Sequence, residues 1–323
     1  MNRTDIVAFL HSLQLDAVGI VPADVPLPPP SYTTSPLCPL AAGTGRERYE
    51  PCRLLPSCQS IIVILFPYYT GPEHGSNLSR YSRSRDYHTI VHNYLQRIED
   101  FLHHHEGTCE TLPIIDTSVL DDRWLAYQGG LGFFGDNHCF INDRYGSYCF
   151  IGSILTSLPL EADESLTKEC HHCGRCAAAC PGHCFHDGIY DYQYCKSFLT
   201  QKKGSITLPE IEVIQKTPLI WGCDVCQDVC HHNQGIAQTP LPEFYEDRLV
   251  SLRTEDIESL SNKQFQRTFG TRAFAWRGKK ILLRNLAYME DLQTRNPRDD
   301  GHGNVNKEEH NTARNDDNGQ NNS

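Results

Sequence analysis

Residues 170–181 read Cys170-His-His-Cys173-Gly-Arg-Cys176-Ala-Ala-Ala-Cys180-Pro181. The spacing C-x2-C-x2-C-x3-C-P is that of two-cluster bacterial ferredoxins, in which the fourth cysteine ligates the other iron–sulfur cluster. Three closely spaced thiolates wrap three corners of one cubane, while the fourth, a helical turn further on, points elsewhere. Downstream, Cys223, Cys226 and Cys230 form a second group, with Cys195 between the two. The expectation is two [4Fe–4S] clusters with crossed ligation. Cys170, Cys173, Cys176 and Cys230 hold one; Cys180, Cys195, Cys223 and Cys226 hold the other. Structural zinc is a poorer match, because it takes four tetrahedral ligands and has no use for a third cysteine two residues on. A disulfide framework fits no better, since the chain reads without a secretory signal and is too long to need one. The chain therefore reads as one that moves electrons singly.

Outward from this stretch, composition sets bounds. At 323 residues the chain has room for two domains and a tail. No apolar run reaches the length of a membrane span, and Met1-Asn-Arg-Thr-Asp5 offers neither a signal peptide nor a twin-arginine leader. Fifteen cysteines, eight of them assigned, leave an odd number of spare thiols beside oxygen-labile clusters, which points to a reducing cytoplasm. A net charge of −11 argues against indiscriminate nucleic-acid binding, though a total says nothing of local patches. One patch is plain. Residues 263–284 carry Lys263, Arg267, Arg272, Arg277, Lys279, Lys280 and Arg284 without an acid, interleaved with Phe265, Phe269, Phe274 and Trp276. Such a segment either contacts phosphates and unpaired bases or is an ordinary helical pair with buried aromatics and solvated cations. Arg80, Arg83 and Arg85 form a second, shorter basic stretch.

The order of elements predicts an α/β or α+β domain over 1–160, a ferredoxin-like cluster domain over 161–240 and a short basic helical segment over 241–292. A polar tail over 293–323 is too poor in apolar residues to fold. Within the first domain, helices are expected over 5–15 and 86–104, and strands over 17–21, 60–67, 112–116 and 147–155. The 112–116 strand ends on Asp116, followed by Thr117 and Ser118. A carboxylate at the end of a buried strand is a common place for a site residue. Asp-Thr-Ser is equally a good helix N-cap, so both readings stand. The Gly-rich run after Gln128 follows a helix rather than a strand, which disfavours a dinucleotide site.

Several blocks together resemble the epoxyqueuosine reductases. They are the Asp116-Thr-Ser…Arg123…Gly130-Leu-Gly132…Asn137 run, Arg83-Ser-Arg-Asp86-Tyr87-His88, the cysteine run, Cys195-Lys-Ser197, Gly222-Cys-Asp224 and Trp276-Arg-Gly-Lys-Lys280. The resemblance spans about residues 1 to 292. It implies an N-terminal cobalamin-binding domain, with the corrin lying between it and the cluster domain. It also implies reduction of epoxyqueuosine to queuosine at the wobble position of a tRNA anticodon stem-loop. By the same resemblance Asp116 is the proton donor, and Arg48, Ser79, Asp116, Arg123 and Ser197 lie near the corrin. The basic segment lies where tRNA is met, an external low-potential donor feeds the clusters, and the enzyme is a cytoplasmic monomer. Deoxygenation suggests that burial raises the pKa of Asp116 toward neutrality. Asp136 departs from the lysine many members carry, Ser79 from cysteine or alanine, and His231 from proline. The chain also stops soon after Trp276-Arg-Gly, so the longer members' helical-repeat extension is expected to be missing. The rival readings are a cobalamin-dependent reductive dehalogenase and a ferredoxin-type electron-carrier subunit.

Overall fold

The computed structural model describes residues 1–295; the remainder of the expected tail lies outside the described residues. Residues 293–295, placed in that tail from composition, instead end the last helix, Lys279–Arg295.

The N-terminal half is built on β2 (Ser60–Pro67), whose eight residues are all buried. It pairs on one side with β1 (Val18–Pro22) and on the other with β6 (Cys149–Thr156), which in turn pairs with β3 (Thr111–Ile115); every pairing is antiparallel. The antiparallel sheet selects α+β over α/β for this layer. Successive side chains of a strand face opposite ways. Ile62, Ile64 and Phe66 accordingly pack on the helices Arg3–Ser12 and Tyr87–His105, while Ile61, Val63 and Leu65 pack on Trp124 and Leu125 of the helix Asp122–Gln128. Both faces of the sheet are covered, which explains why β2 reads as an unbroken apolar run rather than an alternation.

Two helix starts set where the acids of the N-terminal half stand. Asp86 caps the Tyr87–His105 helix by accepting from the His88 backbone at 3.0 Å, a cap worth about 1 kcal/mol. Its buried Ile90, Val91, Tyr94, Leu95, Ile98 and Leu102 recur every third or fourth position and lay one face on the sheet. The second helix, Asp122–Gln128, is capped by Asp121, which accepts from Trp124 N at 3.2 Å. The cap is thus Asp121 and not Asp116. Asp116 instead takes a left-handed backbone, φ 48°, and turns the chain out of β3.

A hairpin of β4 (Phe133–Phe134) and β5 (Phe140–Ile141) carries the loop 135–139 to the cluster module, where Asn137 donates to the Cys226 carbonyl at 3.3 Å. In that module the short helices Arg175–Ala179 and Val225–Asp228 pack on each other, and β7 (Phe185–His186) and β8 (Ile189–Tyr190) form a small hairpin. The C-terminal helices Asn262–Phe269 and Lys279–Arg295 fold back on it. Phe265, Phe274 and Leu282 share a core with Leu78 and Trp221. Gly222, at φ +70°, has no room for a side chain: a Cβ there would lie 2.1 Å from Ser79 Oγ. Glycine is what lets the chain approach Ser79 just before Cys223.

Candidate functional site

Cys170, Cys173, Cys176 and Cys230 line one small cavity, closed by Gly135, Asn137 and the histidines 171, 231 and 232. The four thiols expected to hold the first cluster are therefore brought to one point, three from the loop entering the Arg175–Ala179 helix and one from 54 residues further along. Asp136 sits at the lip and meets His172 Nδ1 at 2.7 Å. The departure from lysine thus puts an acid opposite a histidine of the cysteine run.

The second set gathers as well. Cys195 lies within electrostatic reach of Cys223 and Cys226. Two thiols outside the expected set join it. Cys184 Sγ is 3.2 Å from Cys180 Sγ and lies within electrostatic reach of Cys195, and Cys139, from the β4–β5 loop, lies within electrostatic reach of Cys226. Nothing in the ligand spacing marks Cys139. Cys184, one helical turn beyond Cys180, carried a weak local signal.

Between the N-terminal layer and this module lies a cavity of about 780 Å³, and a second of about 300 Å³, walled by the N-terminal layer alone, adjoins it. They share Ala41, Arg48, Asp121 and Arg123 as a common wall. The larger is faced by Tyr32, Trp124, Tyr127 and Phe134 on one side and by Cys170 and Tyr190 of the cluster module on the other. The smaller contains Asp116, Asp122 and Tyr87. Of the residues expected near a corrin, Arg48, Arg123 and Asp116 line this trough. Ser79 is fully buried, 3.5 Å from Ser82 Oγ. Ser197 follows Cys195 in the short helix Lys196–Leu199, where its carbonyl accepts from Thr200 and Gln201. Neither serine is on the trough's wall. Volume, aromatic floor and polar rim suit a flat macrocycle with amide arms, so the residues present fit a corrin.

The charges in the trough are arranged in three layers. Arg48 Nη2 pairs with Asp121 Oδ2 at 2.6 Å, both nearly buried at 11% and 4% side-chain exposure. Asp121 also accepts from Tyr32 Oη at 3.1 Å. Asp116 accepts from Tyr87 Oη and lies 3.3 Å from His88 Nε2. His88 is held in turn by Asp86 Oδ1 at 2.8 Å on its other nitrogen. Hydrogen bonds to Asp116 and then to Asp86 push His88 up to about 9, so it is a cation at neutral pH.

This corrects the expected ionisation of Asp116. Its side chain is 58% exposed, and the His88 hydrogen bond, aided by Tyr87, outweighs burial and lowers its pKa below the ordinary value. The raised acid is its neighbour Asp122. One oxygen of Asp122 is buried without a hydrogen-bond partner. Burial, followed by the adjacent Asp116 and Asp121 charges, pushes its pKa up to about 8. Sequence reading passed over Asp122 because a carboxylate in a helix's first turn ordinarily just favours the helix dipole.

The basic stretches are likewise sorted by the fold. Arg80 and Arg83 pair with Asp228, Asp224 and Glu73, and Arg85 with Asp247, which leaves none of them as a free cation. In 263–284, Arg272 is buried against Asp247 and the Arg83 carbonyl, Lys279 binds the carbonyls of Glu258 and Leu260, and Arg284 those of Leu199 and Lys202. Phe265 and Phe274 are core residues. Lys263, Arg267 and Lys280 are exposed, and Trp276, 57% exposed, stacks on the Arg277 guanidinium at 3.7 Å. Arg277 acts electrostatically on Cys38, a wall residue of the larger cavity.

Comparison with known proteins gives a consistent picture. The family model "Epoxyqueuosine reductase QueG, DUF1730" matches residues 48–117, and "4Fe-4S double cluster binding domain" matches residues 169–233. Epoxyqueuosine reductase of Staphylococcus aureus is 32% identical over 300 residues, covering 88% of this chain and 78% of that protein. The Bacillus subtilis epoxyqueuosine reductase is 33% identical over 260 residues, 76% and 67% of the two chains. A crystal structure of epoxyqueuosine reductase with an epoxyqueuosine-modified tRNA-Tyr stem loop superposes with a TM-score of 0.79 at 28% identity, covering 89% of this chain and 80% of that one. The Streptococcus thermophilus epoxyqueuosine reductase superposes with a TM-score of 0.75 at 28% identity, over 90% and 81%.

Proposed function

The chain belongs to the epoxyqueuosine reductase family, and from that premise we propose that it reduces epoxyqueuosine to queuosine at the wobble position of tRNA. The observation that carries the reading is a single trough with the cluster cysteine Cys170 and a group of acids on its walls. Cys170 and Tyr190, the latter within electrostatic reach of Cys195, face one end, and Asp116 with Asp122 faces the other. Arg48, Arg123 and Asp116 would hold cobalamin there, and its cobalt would supply the pairing of electrons that iron–sulfur clusters deliver one at a time.

Opening an epoxide to an alkene with release of water consumes two electrons and two protons. The trough keeps two protons close to Asp116 at neutral pH. One is on His88, held between Asp116 and Asp86; the other is on the buried carboxyl of Asp122. Asp116, exposed to the cavity and in contact with the His88 proton, is the group that hands a proton to the departing oxygen. General acid assistance of this kind is worth about a hundred- to ten-thousand-fold in rate. Residues 1–160 serve as the cofactor and catalytic domain, 161–240 as the electron relay and 241–292 as part of the tRNA surface. There Lys263, Arg267, Arg277 and Lys280 neutralise phosphates and Trp276 offers a stacking face. No helix among the described residues is long and apolar enough to cross a membrane. In this reading the enzyme meets its tRNA substrate in the cytoplasm and takes electrons from an external low-potential donor.

The test is anaerobic purification, reconstitution with iron, sulfide and cobalamin, and nucleoside mass analysis of tRNA carrying epoxyqueuosine. The expected result is corrin retained on gel filtration and conversion to queuosine under a low-potential reductant. A protein that holds both clusters yet neither retains corrin nor converts the tRNA would overturn the reading.

A further inference from the structure

We propose that Cys184, which belongs to no expected ligand set, is a reserve ligand of the second cluster, able to take the place of Cys180. The inference rests on the two-cluster reading above. Cys184 is fully buried and its Sγ lies 3.2 Å from that of Cys180, while its backbone N–H points at the same sulfur at 3.5 Å. On its other side it lies within electrostatic reach of Cys195, a second expected ligand of the same cluster.

The fold fixes this placement. After Cys180 the chain makes a single turn, closed by His183 N donating to the Cys180 carbonyl at 3.1 Å. It then enters the β7–β8 hairpin, whose exit is tied back by Asp191 N donating to the Cys184 carbonyl at 2.9 Å. The hairpin returns the chain to Cys195, so Cys184 stands between the two ligands at the hairpin's root. Two sulfurs this close cannot reach different corners of a cubane, and they therefore address the same iron.

The exchange balances without an oxidant or reductant. The iron–sulfur bond to Cys180 breaks, a new bond forms from Cys184 to the same iron, and the Cys184 proton passes to the released Cys180 thiolate. The iron keeps four sulfur ligands and its oxidation state, because the thiolate, not the thiol, is the ligand in either arrangement. The consequence is a second cluster that survives loss of one of its ligands.

The test compares the wild-type holoprotein with Cys180→Ala, Cys184→Ala and the doubles Cys180→Ala/Cys184→Ala and Cys180→Ala/Cys184→Ser, all reconstituted anaerobically. Iron and acid-labile sulfide per chain are measured, with electron paramagnetic resonance of the reduced protein. Wild type, Cys184→Ala and Cys180→Ala should each carry about eight irons, the last with a shifted second-cluster signal. Both doubles should fall to about four irons, with the first cluster's signal kept as proof that the module is folded. The serine double preserves side-chain volume, so its loss of iron reports the ligand and not the packing. Cys180→Ala falling to the level of the doubles, or either double keeping both clusters, would overturn the proposal. About four irons in the wild type would overturn the two-cluster reading itself, and this proposal with it.

Discussion

Asp116→Asn keeps the side chain's shape while removing the carboxylate that faces His88 and can take up and pass on its proton. If Asp116 hands the proton to the opening epoxide, single-turnover conversion falls at least a hundredfold, about 2.7 kcal/mol of barrier. A second readout separates this from a packing effect. Asp116 is the largest cause of the raised His88 pKa, now about 9, and Asp86 remains in the variant. The His88 ring should therefore titrate below 9 but not below its ordinary value, followed by NMR of the ring carbons. His88 ionisation stabilises the fold fully below its unfolded pKa and loses that contribution as pH rises through the folded value. The variant is therefore less stable than wild type below about pH 6.5, and the difference fades as pH rises toward 9. With His88 36% and Asp116 58% exposed, solvent screening keeps the difference to about 1 kcal/mol rather than the several that the shift would give in a buried pair. Near wild-type turnover by the Asn variant, or a His88 titration that does not move, would remove the pair from the mechanism.

The same geometry fixes three further outcomes. Asp122 has a folded pKa raised to about 8, so the folded state holds a proton the unfolded chain has released. Stability is then lost as pH rises from the ordinary carboxyl value toward 8. Asp122→Asn should raise Tm at pH 7 but not at pH 4, while abolishing the alkaline fall in rate near pH 8; an unchanged pH–rate profile refutes its role as proton store. Cys230→Ala should disturb the cluster of Cys170, Cys173 and Cys176 and leave its sequence neighbours Cys223 and Cys226 ligated. Resonance spectra showing instead the loss of the Cys223/Cys226 cluster would refute crossed ligation. Neutralising Lys263, Arg267, Arg277 and Lys280 together should raise KM for tRNA and flatten its dependence on salt, by about 0.7 to 0.9 in log–log slope for each phosphate no longer neutralised. Lys279→Gln, whose ammonium is spent on backbone carbonyls, should lower Tm instead, and an unaltered salt slope in the quadruple variant would place tRNA elsewhere.

What the sequence by itself determined is local in origin. The cysteine run and its downstream partners specified two clusters because ligand spacing along a few residues is already the geometry of a cubane's corners. Ser60–Pro67 announced a strand covered on both faces because six apolar residues in a row, Ile61 to Phe66, leave no wet side. The turn from β3 put Asp116 at a strand's end, and the order of blocks carried the family. What only the tertiary structure decided is charge and adjacency between distant segments. His88, which stands 28 residues before Asp116 and is held by Asp86, sets that acid's ionisation, while the buried unpaired oxygen of Asp122 makes it the protonated one. The same packing ties up Arg80, Arg83, Arg272 and Arg284 inside the molecule, leaves Arg277 stacked on the exposed Trp276, and brings Cys184 onto Cys180. A pKa or a free cation depends on what lies within a few ångströms in space, and chain spacing does not encode that once the partners come from different elements.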